Sequence, residues 1–285
     1  MTRFLALVLI GGVTPVFAQG LPARRYQNGE KLTYKMKTVN EGRNYEIRAT
    51  GIVKRDSTGK HIEEYVWSDL FRNGSRVELP ASGNHFRQVL SLDPDIVPAL
   101  PNLAEAPLML IGPITDFMTF YADLWLAIKS GKLTHPGDHF YQSHGTPASW
   151  ADGNRVVLGE TSIDFDISYA NADLSNEVAT LMVRHVPPKQ PQVRLPAAWM
   201  REPVAGTPNN WVQVTKRDGK YLAAVGKETF DVELKLSLID GKILSGTMVN
   251  PVRAQERECS DPALTACGDS RPRDILRKIE ISLER

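Results

Sequence analysis

The residues best suited to chemistry are three histidines and an aspartate in one short stretch: His135, Asp138, His139 and His144. Imidazole and carboxylate together are ligand types for zinc and related metals, which would make a metal-dependent hydrolase. The spacing argues against that. His135 and His139 share a face only on a helix, and Pro136-Gly137 interrupts one. On a strand, His139 and His144 point to opposite faces. The stretch therefore reads as a polar loop. Asp164 and Asp166 do share a strand face and could act as a general acid and base. They alternate with Phe165 and Ile167, so theirs is the solvated face. Glu63 and Glu64 are adjacent and point apart on a strand. Arg253, Arg257, Arg271, Arg273 and Arg277 interleave with Glu256, Glu258, Asp261 and Asp269, a pattern of surface ion pairs rather than an anion site. The serine nucleophile elbow, His-Glu-x-x-His, the phosphate-cradling loop and Cys-x-x-Cys are all absent. No catalytic residue, metal ligand or cofactor is expected, and the balance of the sequence is against an enzyme.

Only two cysteines occur, Cys259 and Cys267. Two thiols at this spacing with no histidine beside them make a poor zinc pattern, and an oxidising compartment favours a bridge between them. The N-terminus points to such a compartment. Arg3 gives a basic start, residues 4–13 are an apolar run, and Val16 and Ala18 supply small side chains before a cleavage point. That is the layout of a secretory signal peptide, residues 1–18, cut after Ala18. The run is too short for a membrane span, which takes about 20 apolar residues. No other stretch reads as an anchor. The expected product, residues 19–285, is periplasmic or secreted. Hydrophobic residues make up 42% and charged residues 24% of the 285, which excludes a disordered, collagen-like or coiled-coil chain. Lys plus Arg is 34 against 33 for Asp plus Glu, so the basic excess of a nucleic-acid binder is missing.

The elements that must position these residues are mostly strands. Leu32, Tyr34 and Met36 alternate with lysines and threonine over residues 31–39. Tyr45, Ile47, Ala49 and Val53 mark the return. Period-two alternation recurs over 61–71, 162–169, 178–186, 211–216, 221–227, 229–238 and 243–249, and again up to Leu283. Asn73-Gly74 and Asp240-Gly241 are hairpin turns. One polar and one apolar face per strand predicts an antiparallel sheet solvated on one side. One segment departs from this rhythm. Ile114, Phe117, Met118, Tyr121, Leu124, Trp125 and Ile128 lie at helical spacing, which predicts an amphipathic helix over 113–130. Two proline-rich connections, 93–112 and 187–210, carry apolar residues of their own: Leu108, Met109 and Ile111 in the first, Trp199 in the second. Apolar loops of that length are suited to covering an opening.

The expected architecture is mainly β: a large curved antiparallel sheet, a half-barrel of hairpins in a single domain, with the helix on its concave face. In this it resembles the exported bacterial half-barrels whose best-known members are the lipoprotein-localisation carriers. The segments 181–188 and 240–248, with the cysteine loop, are similar to an uncharacterised family of secreted, β-rich bacterial proteins, and that resemblance implies no activity. The function expected from the helix stripe and the apolar loops is uptake of an apolar or lipid-like ligand. The candidate contact residues are Leu108, Met109, Ile111, Phe117, Tyr121, Trp125 and Trp199. Two alternatives stand beside it: a non-catalytic envelope protein whose hollow is filled by its own side chains, and the hydrolase built on His135, His139 and His144. The export reading has a direct check. N-terminal sequencing of the exported protein is expected to begin at Gln19, and an exported fraction that retains Met1 would refute it.

Overall fold

The computed structural model describes residues 20–40, 44–145, 149–152 and 154–284; the expected signal peptide lies outside the described residues. Among the described residues, fifteen strands form one antiparallel sheet. The chain opens with β1 (Lys31–Asn40), β2 (Tyr45–Arg55) and β3 (His61–Arg72), followed by the short β4 (Ser75–Arg76) and β5 (Gln88–Leu90). Asn73 and Gly74 both adopt positive φ between β3 and β4, as a tight hairpin turn demands. The helix α1 (Leu108–Ser130) comes next, then β6 (His139–Gly145), β7 (Ser149–Asp152), β8 (Arg155–Leu158), β9 (Ser162–Asp173) and β10 (Val178–Val186). The last strands are β11 (Trp211–Arg217), β12 (Lys220–Glu228), β13 (Asp231–Ser237), β14 (Ile243–Cys259) and β15 (Arg271–Leu283).

The sheet forks. β14 and β15 pair along their length, from Ser245 opposite Ser282 to Glu256 opposite Arg271. The first half of β14 pairs on its other side with β13, the second half with β12. One wing therefore runs β3-β2-β1-β15-β14-β13-β10-β9-β6, and the other leaves β14 through β12, β11, β8 and β7. The sheet is open, not closed into a barrel.

The first wing wraps α1. Leu32, Tyr34 and Met36 of β1, Tyr65 and Trp67 of β3, and Val232, Leu234 and Leu236 of β13 are all buried. They share one cluster with Leu110, Ile114, Phe117, Phe120, Tyr121 and Leu124 of the helix. Each such side chain stabilises the fold by roughly 1.5–3 kcal/mol when fully buried. Gly246 of β14 lets the helix come close, because a Cβ there would lie 2.9 Å from the Phe120 ring. The second wing has smaller clusters. Part of the connection 187–210 covers one face of it, with Met200 packed against Val212, Val225 and Leu264. Cys259 and Cys267 form the expected disulfide, closing the loop between β14 and β15. No helix among the described residues is long and apolar enough to cross a membrane.

Several boundaries differ from the expectation for physical reasons. The helix starts at Leu108, capped by Pro107, so the run 108–111 is its first turn and not part of a loop. Pro113 lies inside it and lacks the N–H that would bond the Met109 carbonyl. Arg72 Nη2 donates to that carbonyl instead, at 3.4 Å. β14 extends well past residue 249 because it serves both wings. The histidine stretch, expected as a loop, contributes the edge strand β6, paired with β9.

One buried group sets a pH dependence. Asp123 of α1 is buried, its Oδ2 has no hydrogen-bond partner, and burial pushes its pKa up to about 7. The unfolded chain releases this proton near pH 4 and the folded chain only near 7. Stability is therefore highest below about pH 4 as far as this group is concerned, and falls by up to ~1.4 kcal/mol per pH unit until about 7. Asp123→Asn is expected to flatten that fall in chemical denaturation between pH 5 and 7. Parallel pH profiles for parent and variant would count against it.

Candidate functional site

The two wings diverge beneath the N-terminal half of α1 and leave a cleft of about 870 Å³. One wall is the helix, with Leu108, Met109, Ile111 and Thr115. The facing wall is the second wing, with Val157 of β8 and Trp211 and Gln213 of β11. The floor is the fork itself, where Asn250 and Val252 of β14 lie beside Ile275 and Arg277 of β15. Thr38 of β1 and Tyr45 of β2 close one end.

The floor is polar and mostly committed. Asp116, on the buried side of α1, forms an ion pair with Arg277. The Tyr45 hydroxyl donates to Asp116 Oδ2 at 2.7 Å. Burial raises the Asp116 pKa, and the Arg277 charge and the Tyr45 hydroxyl offset only part of that. Glu228, at the end of β12, also lines the cleft. Asn250 Nδ2 donates to its Oε1 at 3.1 Å. Burial raises its pKa too, against the opposing pull of Asn250, Arg277 and His185. At both carboxyl groups of the floor, burial works against the charged form and the neighbouring groups work for it.

Behind this floor the polar groups continue inward. Asn210 takes up the Glu228 backbone from both sides, accepting from its N–H at 2.7 Å and donating to its carbonyl at 3.0 Å. The same Asn210 amide lies 3.2 Å from Glu160 Oε2, and His185 Nε2 is 3.4 Å from that oxygen. Glu160 and His185 are almost wholly buried, and the His185 ring stacks on Phe230. These groups seal the place where the chain passes from one wing to the other.

The residues named from sequence fall in three places. Leu108, Met109 and Ile111 line the cleft. Phe117, Tyr121 and Trp125 are buried in the core under the helix; the Trp125 indole donates to the Asp93 carbonyl at 3.1 Å. Trp199 packs in the second wing, donating to the Leu264 carbonyl at 3.1 Å beneath Arg257. The histidines do not converge. His135 lies 3.8 Å from Asp138 and His139 lies 3.2 Å from Asp166, two separate and exposed pairs. Among the described residues no group of three or more His, Cys, Asp or Glu is placed to hold a metal. The floor residues Asp116, Glu228 and Asn250 were not singled out from sequence, and Arg277, expected in a surface ion pair, is paired instead with the buried Asp116 of the helix. Asn250 carries a visible signal, since it occupies the buried phase between Met248 and Val252.

The Asp116–Arg277 pair has a measurable consequence. Arg277→Met leaves Asp116 buried with the Tyr45 hydroxyl alone, which costs about 1–3 kcal/mol. Adding Asp116→Leu to the same chain removes the stranded carboxylate and is expected to recover most of that loss. Denaturant unfolding of the two variants and the parent decides. A double variant less stable than Arg277→Met would refute the coupling.

No model of a known protein family matches this chain, and neither does any curated protein.

Proposed function

We propose that the protein is an exported binding protein that holds an amphipathic, lipid-like ligand in the cleft. The observation that carries this reading is the division of the cleft between an apolar wall and a polar floor. Its volume of about 870 Å³ falls in the usual range for small-molecule sites. Leu108 is 82% exposed at the mouth, a large apolar side chain with no packing reason to be there. An apolar chain lying along Leu108, Met109 and Ile111, across from Val157 and Trp211, would take these groups out of water. Its polar end would then reach the fork. The disulfide and the leader-like residues 1–18 support an oxidising compartment outside the cytoplasm.

A second reading is favoured by the core. Phe117, Tyr121 and Leu124 fill the hollow beneath the helix, as in a structural envelope protein with no ligand. One experiment separates the two. Phenylnaphthylamine, an apolar dye that brightens out of water, is titrated into the parent and into Leu108→Glu and Ile111→Glu. Saturable binding to the parent is expected, weakened by about tenfold in Ile111→Glu, with unfolding midpoints little changed. The tenfold figure corresponds to about 1.4 kcal/mol, a modest fraction of one buried aliphatic side chain. Absence of saturable binding to the parent would leave the filled-core reading in front.

A further inference from the structure

We infer that the polar end of the ligand is an oxyanion, a carboxylate or a phosphate carried on the apolar tail, and that the Arg277 guanidinium at the fork holds it. This rests on the binding reading above. Arg277 lies on the cleft floor, opposite Asn250 of the paired strand. Among the described residues its guanidinium has one acceptor, Asp116, which takes a single Nη group. A guanidinium carries five N–H donors in a planar fork, so it can hold a second oxyanion beside the first. The Arg277 side chain is 32% exposed, whereas that of Asp116 is 3% exposed. The pair is therefore open to the cleft on the arginine and closed on the carboxylate. Both Asp116 oxygens are taken, one by Arg277 and the other by the Tyr45 hydroxyl.

The charge of the whole cleft favours the same head. Among the described residues three guanidinium groups line it, on Arg72, Arg155 and Arg277, against two carboxyls, on Asp116 and Glu228. Three against two leaves a positive excess even with every group charged. Glu228 opposes an anion only in its charged form, against which burial works; protonated, it adds a donor. Walls as apolar as Met109, Ile111, Val157 and Trp211 focus the field of these charges. The neutral side chains also have donors to spare. Asn44 and Asn73, which line the cleft, spend their side-chain oxygens on backbone, accepting from the Asn40 and Asn44 N–H at 3.3 and 3.1 Å. Among the described residues their NH2 groups, and the amide of Gln213 on the facing wall, have no partner.

The test uses four ligands with one tail: decanoate, decyl phosphate, decanol and decylamine. Each displaces phenylnaphthylamine from the full chain at fixed pH and salt. The better of the two anions is expected to bind at least about tenfold more tightly than decanol or decylamine; that is about 1.4 kcal/mol, a little less than one hydrogen bond to a charged group contributes. The order of decanoate and decyl phosphate tells a carboxylate from a phosphate. Acetate and inorganic phosphate at the same concentrations are expected to leave the dye in place. If either matches its tailed counterpart, the site takes a free anion and the inference fails. In Arg277→Met with Asp116→Leu, checked for a cooperative unfolding transition, the preference for the anion is expected to shrink to about twofold or less. That variant removes one charge of each sign, so a lost preference reports the guanidinium at the fork and not the overall charge of the cleft. Equal binding of all four to the parent would overturn the inference and leave the binding reading standing. So would tighter binding of decanol or decylamine, or a preference that survives in the folded double variant. If none of the four displaces the dye, the inference fails; if the dye itself does not bind, the binding reading fails with it. The parent comparison needs no variant, so a misfolded double variant leaves the test intact.

Discussion

The Glu63 carboxylate sits out of water on the concave face, and three parts of the chain are placed by it. Arg24 Nε reaches its Oε1 at 3.2 Å, and both side chains are only 1% exposed. The hydroxyls of Tyr65 and Tyr121 donate to its Oε2 at 2.6 and 2.5 Å. A charge buried this deeply costs several kcal/mol unless it is paired, and removing one partner typically costs about 3–5 kcal/mol. The partners come from the segment before β1, from β3 and from the middle of α1. Burial first, and the Glu63 charge second, hold the Tyr65 and Tyr121 hydroxyls well above their ordinary pKa. They remain donors, which is what the carboxylate requires. The network extends outward through Arg24 to Glu30 and from Glu30 to Lys242, fastening the start of the described chain to the turn before β14.

Once Tyr121 is fixed, the position of the cleft follows. The helix is longer than the hollow that Phe117, Phe120, Tyr121 and Leu124 fill. Its first turns continue past that hollow to the fork. Leu110 and Ile114 hold these turns against the sheet, and Asp116 ties them to Arg277 on β15. The opposite side of the same turns, with Leu108, Met109, Ile111 and Thr115, faces the cleft and becomes a wall. The cleft is thus a by-product of a helix anchored at its centre and overhanging a divided sheet.

The division has its own physical requirements. Where β14 changes partner from β13 to β12, residues 229 and 230 pass between the wings and leave the ladder. Their backbone groups still need bonds. Thr229 donates to the Pro251 carbonyl at 3.2 Å, and its own carbonyl accepts from Asn250. Pro251 is itself suited to this point, because a residue at a change of partner can lack an N–H without breaking a ladder. The amide side chains of Asn210 and Asn250 complete the junction. Asn250 also lines the cleft floor and Asn210 holds Glu228 from behind it, so the groups that make the fork possible also shape the floor.

Much of the fold was legible because it is periodic. Leu32, Tyr34 and Met36, or Val232, Leu234 and Leu236, declare their faces within a few residues, and Ile114 to Leu124 declare a helix. The start of that helix was not legible. Pro113 reads as a first-turn residue, and only the distant Arg72 makes an interior position tolerable. The edge strands were hidden by polarity, since β6 has exposed side chains on both faces apart from Phe140. The candidate site was hardest to see, because Asp116 and Arg277 are 161 residues apart and no local spacing encodes their meeting. A trace of it is nonetheless written in the strands. Thr38 follows Leu32, Tyr34 and Met36 in the buried phase of β1, Glu63 precedes Tyr65 and Trp67 in that of β3, and Asn250 interrupts that of β14. A polar side chain in an apolar phase carries a desolvation cost that its own strand cannot relieve. Its partner must come from elsewhere in the fold. Glu63 meets Arg24 and Tyr121; Asn250 meets Glu228 and Thr229. Such positions therefore mark where remote segments converge, and here they mark both the anchor of the helix and the floor of the cleft.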